Sequence, residues 1–535
     1  MPTPDVIYRH ALVFTADHSR PWASTIATAG ERILAIGDDD EVATLAGPGT
    51  EILDLEGALV LPGITDAHFH TLMAGESLLR ADLVHAKDIE QILQLVRAWA
   101  GANPAAPWVL GKGWLYSAIP DGRPTRELLD VAVAERPVYL DANDFHSAWV
   151  NTAGLRELRI TRDTPDPQGG EIVRDADGEP TGELKETAVI IAWDHFATLR
   201  TPEANDDLLR AALRAMAAAG ITSTVDMGLD QGALDTMARA EQQGWLTARL
   251  LGHWLLREDE DPVDRVAMVA ALAEIQRSAW LRIAGVKVVS DGVIDACTAA
   301  MLAPYANGSL PPPIWDMDAL RPAVRAADAA GLQVAIHAIG DAAVRTALDA
   351  YEDAARENGT AGRRHRIEHI ETVDPADVTR FGVLGVTASM QPVHADPAIH
   401  ENWAAQLGDD RVARGFPWPE LAAVTRLALG TDAPTAPLEP LPNLHVAATR
   451  RSSLDPGLWP ANHPELTLPL EAAVRHATID AAWSCFDEAE RGSLEPGKLA
   501  DLVVVDRDPF AEGPEALLEA KVLRTIVGGR AVYEA

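Results

Sequence analysis

His68 and His70, one residue apart, close the run Leu59-Val-Leu-Pro-Gly-Ile-Thr-Asp-Ala-His-Phe-His70. In an extended strand residues i and i+2 project to the same face, so the two imidazoles can converge on one metal ion. Neutral imidazole is the commonest nitrogen ligand for zinc and related ions. A lone His-x-His pair is equally compatible with two surface histidines, but the Pro62-Gly63 lead-in and the strand-end position favour a metal. His337 ends Gln333-Val-Ala-Ile-His337, and His369 ends Arg366-Ile-Glu-His369. Either alone reads as a core or rim histidine; together with the pair they exceed the three protein ligands of a usual catalytic zinc site and point to two ions.

Two ions need a bridge. Lys287 lies inside Ala284-Gly-Val-Lys-Val-Val-Ser-Asp291, where a free ammonium beside two dications is strongly disfavoured. A neutral amine there can take up carbon dioxide as a carbamate, which supplies two anionic oxygens. The alternative is a structural lysine paired with Asp291; only six of the 45 basic residues are lysines, which argues against an incidental surface role. Asp432, in Leu427-Ala-Leu-Gly-Thr-Asp432-Ala-Pro434, reads either as a helix cap or as a carboxylate that touches one metal and moves the proton of an activated water.

The elements that would position these residues follow from patterning. From about residue 207, Ala-rich helical stretches alternate with β-branched runs at 222–228, 246–254, 282–292, 332–340, 365–371, 386–392 and 426–433. With 59–70 they make eight strands, the count of a closed (β/α)8 TIM barrel whose active site lies at the C-terminal strand ends. Short strands at 6–15, 23–29 and 33–37 and at 500–506, 522–527 and 530–533 are too few at either terminus for a stable sheet. Residues 1–58 and 488–535 are therefore expected to form one small β-sandwich, beside an α/β barrel of 59–487. Roughly 150 residues separate the first two barrel strands, far beyond an ordinary loop. The segment 72–206, with its tryptophans and an apolar strand at 137–140, is read as an insertion placed to cap the active site.

The net charge of -35 opposes nucleic-acid binding and suits a well-solvated surface. Cys297 and Cys485 allow no disulfide framework and no thiolate metal cluster. With no apolar membrane span and no leader pattern after Met1, a cytoplasmic protein acting on a small molecule is expected, with a homodimer as the base-rate assembly.

The ordered set His68, His70, Lys287, His337, His369 and Asp432 resembles the amidohydrolase superfamily. It is particularly similar to the YtcJ-like, amidohydrolase-3 branch that includes N-substituted formamide deformylases. Branch-like marks are Gly113-Trp114, the run from Arg136 to Asn151 through His146, Pro167-Gln-Gly-Gly170, Gly182-Glu-Leu-Lys-Glu186, Asp291-Gly292 with Thr298, His337-Ala-Ile-Gly-Asp341, Gln391-Pro392 with His394, and Leu494-Glu-Pro-Gly-Lys-Leu-Ala-Asp501. One departure is Asp295-Ala-Cys297, where relatives often carry Glu-Ser-Arg, which would reshape the pocket. The resemblance implies the six residues as metal ligands, two Zn2+ ions (with Mn, Fe or Co able to serve) and N6-carboxylation of Lys287. It also implies hydrolysis of a non-peptide C–N bond, in an N-acyl or N-formyl amine, by metal-activated water with Asp432 as general base. Trp114, His146, Asp291 and His394 are the expected substrate-binding side chains, with Trp114 and His146 equally readable as packing residues. Alternatives are a cyclic amide or lactone hydrolase, a ring deaminase, or an inactive scaffold.

Overall fold

The computed structural model describes residues 3–143, 147–167, 170–275, 278–359 and 362–535. The chain divides into two compact units, one comprising Met1–Thr71 with Leu213–Ala535 and the other Leu72–Ala212.

In the first unit, eight parallel strands form one sheet in chain order: Ile64–Phe69, Ile221–Leu229, Arg249–Leu256, Leu281–Val289, Gln333–Ala338, Arg366–His369, Thr387–Met390 and Leu427–Leu429. These are the eight runs expected from patterning, and the α/β TIM-barrel fold follows. The two edge strands are joined at their C-terminal ends by Asp432 N–H to His68 O at 2.8 Å and His70 N–H to Ala433 O at 3.0 Å. Aspartates after the strands start the covering helices: Asp230, Asp316 and Asp374 accept the backbone N–H of Ala233, Ala319 and Ala376.

The run 59–70 is two strands. Leu59–Pro62 pairs in parallel with Leu12–Phe14 and antiparallel with Leu502–Val505, outside the barrel, and the barrel strand starts only at Ile64. Gly63 is the hinge between them, with its N–H on Asp501 O. A Cβ there would lie 2.3 Å from Thr222 Oγ1, so glycine lets the two sheets approach. The run 6–15 likewise splits at His10, whose φ is 52°. Val6–Arg9 enters a four-stranded sheet with Thr25–Ala29, Arg32–Gly37 and Glu51–Asp54, and Leu12–Phe14 enters the six-stranded sheet that holds the C-terminal strands. Tyr8, Val13, Ile26, Ile33, Val60, Leu502, Val504 and Ile526 form the shared core, so the sandwich draws on both termini.

The barrel interior holds buried polar groups beside an apolar cluster of Val225, Met227, Leu251 and Ala335. Thr65 and Ser223 receive the Arg491 guanidinium, Gln333 meets His253 at 3.0 Å, and Arg366 binds Glu368 and Ser389. Burial, aided by the Arg366 charge, pulls the His253 imidazole down to about 3. A histidine held neutral in this way contributes stability above its unfolded value near 6.5, and that contribution is lost as pH falls toward the folded value. The loss from this residue is expected to reach on the order of a few kcal/mol by about pH 4. Thermal midpoints between pH 7 and 5 should therefore fall less steeply for His253→Gln than for the unsubstituted chain; equal slopes would refute the assignment.

The second unit holds a six-stranded mixed sheet in the order Gly170–Arg174, Pro180–Glu186, Ser147–Val150, Val138–Ala142, Val109–Trp114, Ala81–Asp82. Only its 138–142 strand was expected. Cores form around Trp114, Trp149, Leu140 and Ile92, and around Tyr139, Trp108, Leu184 and Phe196. Among the described residues no helix is long and apolar enough to cross a membrane.

Candidate metal centre

The site lies where the first and eighth barrel strands meet. His68 and His70 leave the first strand, and Asp432 follows the eighth with φ at 63°. Asp432 Oδ1 is 3.4 Å from His68 Nε2 and 3.2 Å from His70 Nε2, and its Oδ2 is 3.6 Å from His394 Nε2. Two overlapping triads result, His68–His70–Asp432 and His369–His394–Asp432, each with ligand atoms within 4.8 Å of one another. The imidazole of His369 stacks on that of His394 at 5.8 Å and 12° and lies 4.7 Å from that of His68. His369 has φ at 75°, so both it and Asp432 leave strand geometry in the left-handed region. Such non-glycine conformations cost about 1–3 kcal/mol each and persist where surroundings enforce them.

The seam is tightly built. Asp66 accepts Thr431 N–H, Thr431 Oγ1–H and His68 N–H. A Cβ at Gly430 would lie 2.4 Å from His68 N and 2.7 Å from Asp66 Oδ1, so only glycine fits.

Lys287 is buried, with Nζ 3.5 Å from His68 Nε2. Burial pulls its ammonium down to about 8 against Glu368 and Asp432, which hold it up. It is not paired with Asp291. That carboxylate, fully buried and pushed up to about 7 by burial, instead accepts the backbone N–H of Ala300, Ile339 and Gly340. His337 lies beside His369, ring centroids 4.4 Å apart, but its Nε2 faces Gly292 O at 3.2 Å and it joins neither triad.

The donor set fits divalent cations. Burial and the Lys287 charge hold His68 at about 4 and His337 at about 3, and His369 and His394 are also lowered, chiefly by burial. Burial works against ionisation of Asp432, but His68, His70 and His394 outweigh it and hold the carboxyl well below its usual range. Neutral imidazoles beside an ionised carboxylate are the protonation states a metal requires. In addition, His70 Nδ1, His369 Nδ1 and His394 Nε2 are buried without a hydrogen-bond partner among the described residues.

The other expected residues divide. His394, expected against substrate, stands among the metal-capable donors. Trp114 has no exposed surface, packs on Tyr116 and Trp149, and donates its Nε1–H to Leu140 O, the environment of a core side chain rather than a subsite wall. His146 lies outside the described residues.

Sequence reasoning missed Glu368. Its Oε2 accepts His68 Nδ1–H at 2.8 Å, which leaves His68 Nε2 for a metal, and Arg366 holds the carboxylate at 2.8 Å. The signal was present: two charges one residue apart in a β-branched run must share a face. Such partners fix ligand orientation, and losing one typically costs 10–100-fold in metal affinity. Glu368→Gln, which keeps an acceptor but removes the charge, is expected to weaken metal retention by about that factor in a chelator competition; unchanged retention would remove Glu368 from the centre.

Residues 51–533 match the amidohydrolase family. Protein LONG AFTER FAR-RED 3 of Arabidopsis thaliana is 32% identical over 99% of this chain and 91% of its own length. The amidohydrolase YtcJ of Bacillus subtilis, itself a putative assignment, is 30% identical over 91% of both chains. An N-substituted formamide deformylase of Arthrobacter pascens is 29% identical over 99% of this chain and 98% of its own. An uncharacterized metal-dependent hydrolase from Pyrococcus horikoshii superposes with a TM-score of 0.79 at 25% identity, covering 99% of this chain and 100% of that one. With a family match across most of its length and two full-length relatives at 30% identity or more, the chain belongs to the amidohydrolase family.

Proposed function

We propose that this protein hydrolyses a non-peptide carbon–nitrogen bond, that of an N-acyl or N-formyl amine, at a site holding two divalent metal ions, zinc by preference. One observation carries the reading: the Asp432 carboxylate within 3.4 Å of two imidazole nitrogens on one side and 3.6 Å of a third on the other. His68, His70 and Asp432 would hold one ion and His369, His394 or His337 with Asp432 the other, with Lys287, as a carbamate, between them. When bound, the ions lower the pKa of water and polarise a carbonyl oxygen.

The protein's own groups do the rest. Asp432 accepts a proton from the attacking water as its oxygen bonds to the carbonyl carbon. It then delivers that proton to the nitrogen as the C–N bond breaks, leaving an acid and an amine. Glu368 and Arg366 hold His68 in orientation throughout. The name of the Arthrobacter relative supports formamides as the first substrates to try.

The test is an activity screen on metal-replete protein over N-formyl and N-acyl amines, cyclic amides, lactones and aminated rings. Release of amine from the first two groups is the expected result. Turnover confined to lactones or aminated rings would replace this reading. A protein that retains no zinc, manganese, iron or cobalt after reconstitution would end the enzymatic one.

A further inference from the structure

We propose that Gln391 reads the N–H of the substrate: its Oε1 accepts the hydrogen of the scissile amide while its Nε2 donates to an acceptor on the same molecule. This rests on the amide-hydrolase reading above and narrows it to amides that carry an N–H.

Gln391 follows the seventh barrel strand, Thr387–Met390. Two residues earlier, Ser389 points into the barrel, where its Oγ accepts Arg366 Nη2–H at 2.7 Å. Side chains two apart on a strand share a face, so Gln391 projects inward one layer nearer the C-terminal end, the level of the metal triads. It is 2% exposed, yet neither Oε1 nor Nε2 has a partner among the described residues. A buried polar atom left unmatched costs about 1–3 kcal/mol, so two of them on one side chain beside the metal triads point to a ligand there.

The local fold does not supply the reason. The turn after Gln391 uses its backbone, with His394 N–H on Gln391 O. Nearby Asn443 supplies the structural amide there, accepting Val393 N–H through Oδ1 and donating Nδ2–H to Gly430 O. Asn443 is satisfied at both ends, and Gln391 at neither. The unpartnered nitrogens of His70, His369 and His394 belong to the triads at that level of the barrel. A neutral carboxamide is a weaker metal ligand than these imidazoles, but it offers one donor and one acceptor side by side. The N–H of a secondary amide complements Oε1 and an acceptor elsewhere on the molecule complements Nε2, because the carbonyl of a trans amide points away from its N–H; an ester or a tertiary amide leaves Oε1 unmatched. Sites built to bond a substrate N–H or O–H reject analogues lacking it far more strongly than apolar pockets reject a change in size.

The experiment compares the best amide from the acyl-amine series with the ester in which oxygen replaces its nitrogen, on metal-loaded wild type and Gln391→Leu. The expected result is a loss of about 10- to 100-fold in kcat/KM for the amide, a loss several-fold smaller for the ester, and wild-type metal content. Equal losses on both substrates, no loss, or loss of metal would overturn the assignment. If the Leu variant fails to fold, the wild type still decides: it must prefer the secondary amide to its N-methyl counterpart, and equal rates refute the proposal. A wild type that cleaves esters but no amide overturns the functional reading itself, and with it this inference. One that cleaves amides while Gln391→Leu behaves as wild type overturns this inference alone.

Discussion

Asp432→Asn is expected to leave the barrel folded and to lower turnover by on the order of a hundredfold or more. The substitution keeps size and one oxygen but removes the charge that His68, His70 and His394 stabilise. It also removes the only group in the triads able to take a proton as an anionic carboxylate. Measured together, kcat, metal per chain and far-ultraviolet circular dichroism separate the roles. A fall in kcat with metal retained assigns proton transfer; a fall in both in proportion assigns ligation alone. Undiminished turnover would move the base elsewhere.

The second large effect is at Lys287. It is buried 3.5 Å from a histidine nitrogen, with Glu368 and Asp432 as the nearby charges that sustain its ammonium. If it bridges two ions as a carbamate, Lys287→Ala should lower bound metal from about two per chain to one or fewer and abolish most turnover. Bicarbonate-free reconstitution of the unsubstituted protein should reproduce part of that deficit, and a short-chain carboxylate should restore part of the metal to the variant. Full metal and activity in Lys287→Ala would leave the residue as a structural cation.

Much of this was legible in the sequence because the barrel strands and the candidate ligands coincide. His68, Lys287, His337, His369 and Asp432 all stand at or beside the ends of β-branched runs between Ala-rich helices. Two things were hidden. Continuous apolar runs do not reveal where one sheet hands over to another, so the break at Gly63 was absorbed into a single strand. Val109–Trp114, with Gly111, Lys112 and Gly113 inside it, lacks the alternation of a half-buried strand, and its sheet is covered by a core on each side. At the centre itself, Glu368 and Gln391 stood inside motifs already singled out. What sequence did not supply was that Glu368 meets His68, 300 residues away, and that the Gln391 carboxamide is buried without a partner among the described residues.

The seam that joins His68 to Asp432 has a consequence for synthesis. An emerging chain exposes its first barrel strand long before the segment that must cover it exists, and Leu59–Pro62 likewise waits for Leu502–Val505. Ring closure of this kind pays its loop entropy last and leaves an unpaired strand edge open to association in the meantime. A nascent chain halted before residue 426 is therefore expected to be captured by chaperones or to aggregate, and to retain no metal at this centre.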